Sequence, residues 1–186
     1  MTDGVDRVTV IGQVFVGRGP IVDMSVSSRS GMVFVTNQTD DSVSQLDLDT
    51  LVVVATVTDT NEPFVVKTAG SRAFVSTASA AYDAVTVIDT DSGGVVATFP
   101  LAASIRDLAL SPDGCLIYVA RTTGDGADVA VIDTISGAIT TVDLGTRRGS
   151  TAAVITISRD GAWVYVVTAD HLGSELVAID TRDDRV

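Results

Sequence analysis

Cysteine, histidine, tryptophan and lysine each occur once in the 186 residues, as Cys115, His171, Trp163 and Lys67. One cysteine forms no intrachain disulfide and supplies neither a multi-cysteine zinc site nor a CxxC redox pair. One histidine builds no multi-histidine metal cage within a chain. The acidic loops Asp40-Asp41 and Asp125 to Asp128 lack the spacing of a calcium-binding loop, and no cofactor is expected. Positive charge is scarce: 12 Lys plus Arg stand against 24 Asp plus Glu, a formal net charge of −12, and no cationic run exceeds the pair Arg147 and Arg148. A surface of that sign repels phosphate backbones, so no nucleic acid is expected as a partner. Apolar runs such as Leu51 to Ala55 are far too short to span a bilayer, and no membrane insertion is expected. Met1 to Arg7 carry three charges and no apolar leader core, which reads as cytoplasmic.

Repetition fills the space these absences leave. The runs Val33-Phe34-Val35-Thr36-Asn37, Ala73-Phe74-Val75-Ser76-Thr77, Ile117-Tyr118-Val119-Ala120-Arg121 and Val164-Tyr165-Val166-Val167-Thr168 place their aromatics 40, 44 and 47 residues apart. A second marker follows each: Leu46-Asp47, Ile88-Asp89-Thr90, Ile132-Asp133-Thr134 and Ile179-Asp180-Thr181. Two markers in phase over four copies identify a repeat array. Within each copy β-branched residues alternate with period two, as in Val85-Thr86-Val87-Ile88, and helical periodicity with caps is lacking. Turn signals separate the strands, clearest at Ser111-Pro112-Asp113-Gly114 and Ser158-Arg159-Asp160-Gly161. Each copy is therefore expected to supply four antiparallel strands, A to D. The chain reads as an all-β β-propeller of four tandem four-stranded blades, at approximately 20–57, 63–99, 105–144 and 152–186.

Residues 8–16, ending in Gly17-Arg18-Gly19-Pro20, read as a strand D, whereas Ile179-Asp180-Thr181 is followed by only the start of one at Arg185-Val186. The N-terminal strand is expected to complete the fourth blade, either within one chain as a closed four-blade ring or across a homodimer as half of a larger ring.

Phe34 to Asn37 as FVTN, Ser111 to Tyr118, Val85 to Thr90 as VTVIDT and Val95 to Phe99 as VVATF give the sequence its resemblance to the YVTN family of β-propeller repeat proteins. The resemblance covers nearly the whole chain and implies the propeller fold. Its members are usually seven-bladed and often exported, and some propeller lactonases resemble the family at fold level. A lactonase-like hydrolase is thus one implied alternative, needing a convergent set drawn from His171, Glu62 and Glu175 with arginines. An architectural segment of a larger surface protein is another.

The recurrent Asp47, Asp89, Asp133 and Asp180, with Asp113 and Asp160, are expected to accept turn amides rather than bind metal. Trp163 is expected in an inter-blade core. In a propeller the B–C and D–A loops share one face, and here they carry Asn37, Tyr82 and Asp83 beside five cationic candidates. Arg18, Arg121, Arg147, Arg148 and His171 are the expected ligand-binding set, suited to a small anionic ligand, a peptide or a protein partner. The leading expectation is a binding or scaffold module rather than an enzyme.

Overall fold

A computed structural model describes residues 9–78 and 83–182. Val8, Tyr82 and Arg185-Val186 lie outside the described residues. The elements are strands, joined by turns and one turn of 3-10 helix at Gln38–Asp40. No helix among the described residues is long and apolar enough to cross a membrane.

Each sheet is an antiparallel meander of strands consecutive in sequence, here called a blade. Blade 1 holds β1 (Ile21–Ser27), β2 (Met32–Asn37), β3 (Ser42–Asp47) and β4 (Val53–Val57). Blade 2 holds β5 (Pro63–Ala69), β6 (Arg72–Thr77), β7 (Asp83–Asp89) and β8 (Val95–Leu101). Blade 3 holds β9 (Ser104–Leu110), β10 (Leu116–Thr122), β11 (Ala127–Asp133) and β12 (Ile139–Asp143). Blade 4 has three strands among the described residues, β13 (Thr151–Ile157), β14 (Trp163–Asp170) and β15 (Gly173–Asp180).

Alternation along the second strand of each blade sends its aromatic toward the next blade. Phe34 packs with Val66, Val75 and Ile88 of blade 2. Phe74 packs with Leu108, Ile117, Val119 and Ile132 of blade 3. Tyr118 packs with Ile155, Val164, Val166 and Ile179 of blade 4. Fully burying one such side chain contributes about 1.5 to 3 kcal/mol, against about 1 kcal/mol for a typical hydrogen bond. The joints between blades therefore dominate the stability of the array.

The first strands pack in series, β1 on β5, β5 on β9 and β9 on β13. The four blades do not close into a ring, because the far face of blade 4 is uncovered: Val154 is 54% exposed and Leu176 67%. Trp163 corrects the expectation of an inter-blade core. Val164 and Val166 face blade 3, so Trp163 and Tyr165 face the other way, and Trp163 is 38% exposed.

Among the described residues, no strand pairs with the outer edge of β15. Residues 9–16 form no strand and cross the free face of blade 1. The Ser44 hydroxyl donates to the Val16 carbonyl at 2.8 Å, and a Cβ on Gly12 would stand 2.7 Å from Leu51 Cδ1. Leu51 has φ +54 where the matching turns of blades 2 and 3 have Gly93 and Gly137. A leucine there is strained by about 1 kcal/mol or more, and its side chain is the one that reaches this segment.

The aspartates at the far ends of the blades act as turn acceptors. Asp89 Oδ1 takes the Ser92 N–H and hydroxyl, each at 2.8 Å, and Asp133 Oδ1 takes the N–H groups of Ile135 and Ser136. Asp113 Oδ1 takes the Ser111 hydroxyl at 2.6 Å and Cys115 N–H at 3.0 Å, and Asp160 repeats this with Ser158 and Ala162. These bonds, with those that Asp47 Oδ1 accepts from the Thr50 hydroxyl and N–H at 2.7 Å, hold the carboxyls of Asp47, Asp89, Asp113, Asp133 and Asp160 below the ordinary value of 3.8. Lowered folded-state values mean that the unfolded chain binds protons first, so the stabilisation is full above that value and disappears as pH falls through the folded ones. Asp83, raised by burial against the opposing charge of Arg106, works in the other sense, but it is one group against five. The melting temperature is expected to fall steadily from about pH 5 to about pH 2.5; a profile flat over that span rejects the turn carboxylates as contributors.

Candidate functional site

The loops that follow the second and fourth strands lie at one end of the blades. Between blades 3 and 4 they enclose a cleft of about 360 Å³. One wall is the connection Gly145 to Ser150, the other the hairpin from Thr168 to Glu175. The first wall is rigid for a local reason: Ser150 N–H donates to the Arg147 carbonyl at 3.0 Å, and Gly149 takes the φ of +89 that the turn needs. Thr146 ties this wall to blade 3, its hydroxyl accepting from Ala127 N–H at 2.8 Å and donating to the Ala127 carbonyl at 3.2 Å. The second wall is a hairpin in which Asp170 pairs with Gly173, leaving His171 and Leu172 as its two-residue tip. Asp170 Oδ1 accepts the Leu172 N–H at 2.7 Å and fixes that tip.

Ser150 and Thr168 lie buried at the base, while Arg147 and Glu175 are exposed at the rim. The cleft thus offers hydroxyls at its base, and one guanidinium and two carboxylates along its walls. That polarity suits a ligand carrying both donors and acceptors better than a simple anion.

Of the five expected cationic residues, Arg147 lines the cleft, and Arg148 and His171 are exposed on its two bordering loops. Arg18 is exposed at the other end of the array, on blade 1, where its N–H donates to Asp40 Oδ2 at 2.8 Å. Arg121 is no loop cation. It sits in β10, 8% exposed, with Nε and Nη2 each 2.8 Å from the two carboxylate oxygens of Asp128 and Nη2 also donating to Thr141 at 3.2 Å. A guanidinium committed this way stitches three strands together and is withdrawn from ligand binding. Asp41 Oδ1 accepts the Glu62 N–H at 2.8 Å between blades 1 and 2, so Glu62 stands two blades away from His171 and Glu175. No group of three or more His, Cys, Asp or Glu among the described residues is arranged to hold a metal ion.

Two carboxylates that bridge blades carry no sequence motif. Asp23 and Asp107 stand at the bulges of β1 and β9 and reach the first strand of the following blade. Asp23 Oδ2 accepts the Val66 N–H at 3.1 Å and pairs with Lys67 Nζ at 3.0 Å, and Asp107 Oδ2 accepts the Ile155 N–H at 3.0 Å. They latch blade 1 to blade 2 and blade 3 to blade 4.

Two proteins described as seven-bladed β-propeller proteins resemble this chain in sequence. That of Mycobacterium tuberculosis is 42% identical over 168 residues, which are 88% of this chain and 43% of the relative. That of Mycolicibacterium smegmatis is 39% identical over 181 residues, 97% of this chain and 49% of the relative. The chain spans about half the length of the curated relatives it matches. No family model matches. Among solved structures, hydrazine synthase of Kuenenia stuttgartiensis superposes with a TM-score of 0.81 at 22% identity over 96% of this chain and 51% of that one. The β-propeller domain of Cps50 (Swd1) from Myceliophteria thermophila does so with a TM-score of 0.76 at 13% identity, over 95% and 56%. Likeness at such identities shows the fold alone, and the fold is that of β-propeller blades.

Proposed function

We propose that this run of β-propeller blades is a binding module that takes a peptide segment with an acidic side chain on its loop face, Arg147 being the anchor. The observation that carries the reading is the cleft between Gly145–Ser150 and Thr168–Glu175, where an exposed guanidinium, buried hydroxyls and carboxylates line one concavity. A ligand carboxylate meets Arg147, and peptide N–H groups or a neighbouring basic residue meet Asp170 and Glu175. The repeat residues shared with YVTN proteins support the same reading at the level of architecture, since a rigid blade array carries adaptable loops.

The test is a thermal-shift and titration screen with short peptides in matched acidic and amidated forms. The double variant Arg147→Ala/Arg148→Ala is expected to melt within about 1 °C of the parent, because exposed loop cations contribute little to stability. Its affinity for the acidic peptides is expected to drop about tenfold or more. Unchanged affinity in a folded double variant sinks the assignment of the site.

A further inference from the structure

The Asp-Gly bonds among the described residues are Asp113-Gly114, Asp125-Gly126 and Asp160-Gly161. In such a pair the carboxyl carbon lies within reach of the following main-chain nitrogen, and glycine has no Cβ to obstruct the approach. The first and last pairs are locked against it. Gly114 N–H donates to the Ser111 carbonyl at 2.8 Å and Gly161 N–H to the Ser158 carbonyl at 2.9 Å. Their aspartates are held as firmly: Asp113 Oδ1 takes the Ser111 hydroxyl and Cys115 N–H, and Asp160 Oδ1 the Ser158 hydroxyl and Ala162 N–H. The same bonds keep both carboxyls ionised to lower pH, and a carboxylate is a far poorer electrophile than the protonated acid.

The middle pair has neither restraint. Asp125 is exposed in the hairpin between β10 and β11, flanked by Gly124 and Gly126, and its carboxylate accepts no hydrogen bond among the described residues. Gly126 is fixed through its carbonyl, which accepts the Thr123 N–H at 2.7 Å and the Thr123 hydroxyl at 3.0 Å. Its own N–H donates to no described group. Gly126 is also where this hairpin meets the cleft: a Cβ on it would stand 2.6 Å from Thr146 Oγ1 and 3.1 Å from the Arg147 carbonyl, both in the Gly145–Ser150 wall.

We infer that Asp125-Gly126 is a site of spontaneous succinimide and isoaspartate formation, and that the modification loosens the wall that carries Arg147. The Gly126 nitrogen attacks the side-chain carboxyl carbon of Asp125. A C–N bond forms, the N–H proton and the carboxyl hydroxyl leave together as water, and a five-membered imide results. Water then adds back at either imide carbonyl. Opening at the side-chain carbonyl restores aspartate. Opening at the main-chain carbonyl breaks the original peptide bond and leaves the chain running through Cβ and Cγ, with the α-carboxylate free. Nothing is oxidised or reduced, and isoaspartate has the mass of aspartate. The added methylene enters the main chain immediately before Gly126, at its contact with Thr146 and Arg147. The site is independent of the ligand reading above.

The test ages the folded 186-residue chain at mildly acidic pH and maps its peptides by electron-transfer fragmentation, which distinguishes isoaspartate from aspartate. Isoaspartate at position 125 is expected to exceed that at 113 or 160 by about tenfold or more, because the turn bonds of the other pairs must open before they react. In denaturant the three pairs are expected to react at similar rates. Hydrogen exchange is expected to be faster in the isomerised chain at Ala127, whose N–H donates to Thr146 Oγ1 at 2.8 Å. The reference for that comparison is Asp125→Glu aged in the same way, since its imide ring would have six members and closes slowly. Comparable isoaspartate at the three sites of the folded chain, none at 125, or the same preference for 125 in denaturant overturns the site. Unchanged exchange at Ala127 overturns its effect on the wall.

Discussion

Arg121→Ala is expected to lower the free energy of unfolding by about 3 kcal/mol, or roughly 6 to 12 °C in melting temperature for a chain of this size. The cause is what the substitution leaves behind. Asp128, with a side chain only 17% exposed, loses both of its guanidinium bonds and retains its charge inside a blade whose neighbours are Val129 and Ala130. Arg121→Lys keeps a charge but cannot reproduce the forked contact and is expected to fall between the two. Arg121→Met/Asp128→Leu removes both charges and is expected to recover most of the loss. Chemical denaturation of the three variants decides: if the double variant is as unstable as Arg121→Ala, packing and not charge is responsible.

Gly114→Val is expected to cost about 2 to 3 kcal/mol. Gly114 has φ +71, a conformation that strains a β-branched residue, and it donates its N–H to the Ser111 carbonyl at 2.8 Å. A Cβ there would also stand 3.0 Å from the Ala69 side chain of blade 2, so the turn cannot relax toward its neighbour. Gly70→Val separates the two contributions, since Gly70 has φ +56 with nothing within 4 Å of its Cβ position, and it is expected to lose about 1 kcal/mol less. Cys115→Ser, one residue on from Gly114, should leave the fold intact: its sulfur is half-exposed and makes one long contact, 4.0 Å to the Asp113 carbonyl. Melting curves of Gly114→Val that match the parent would falsify the turn assignment.

The parts of this fold that repeat are the parts that a single sequence displays. Phe34, Phe74 and Tyr118 recur because each closes a joint, and the aspartates of the Ile-Asp-Thr markers recur because each turn needs an acceptor. What breaks the repeat is hidden. Tyr165 matches the other three in sequence, yet it is half-buried, because no described blade covers its face. Arg121 ends the run Ile117 to Arg121, and nothing in that run marks whether it closes the strand or opens the loop. Its register pairs Arg121 directly with Asp128, and the symmetric placing of the two charges about Gly124 and Asp125 is the signal that reveals the pair. Asp23 and Asp107 offered no such signal. A carboxylate at a strand bulge gains its meaning from the backbone of another blade, more than 40 residues away in the chain. The cleft was legible only as two loops with cations; its carboxylates and buried hydroxyls are brought together by packing.

The meander order within each blade also governs how the molecule comes apart and together. Every strand pairs with its sequence neighbour and every blade packs on the next in the chain, so no contact has to wait for distant segments to meet, and loop-closure entropy stays small throughout. Folding can begin at any adjacent pair of blades and spread along the line, as in other repeat proteins, with each blade's opening free energy set by its immediate neighbours. Amide exchange should therefore be slowest in blades 2 and 3, which are covered on both sides, and graded toward the ends. A chain shortened by its last blade should remain folded, with Tyr118 taking over the half-covered position that Tyr165 now holds.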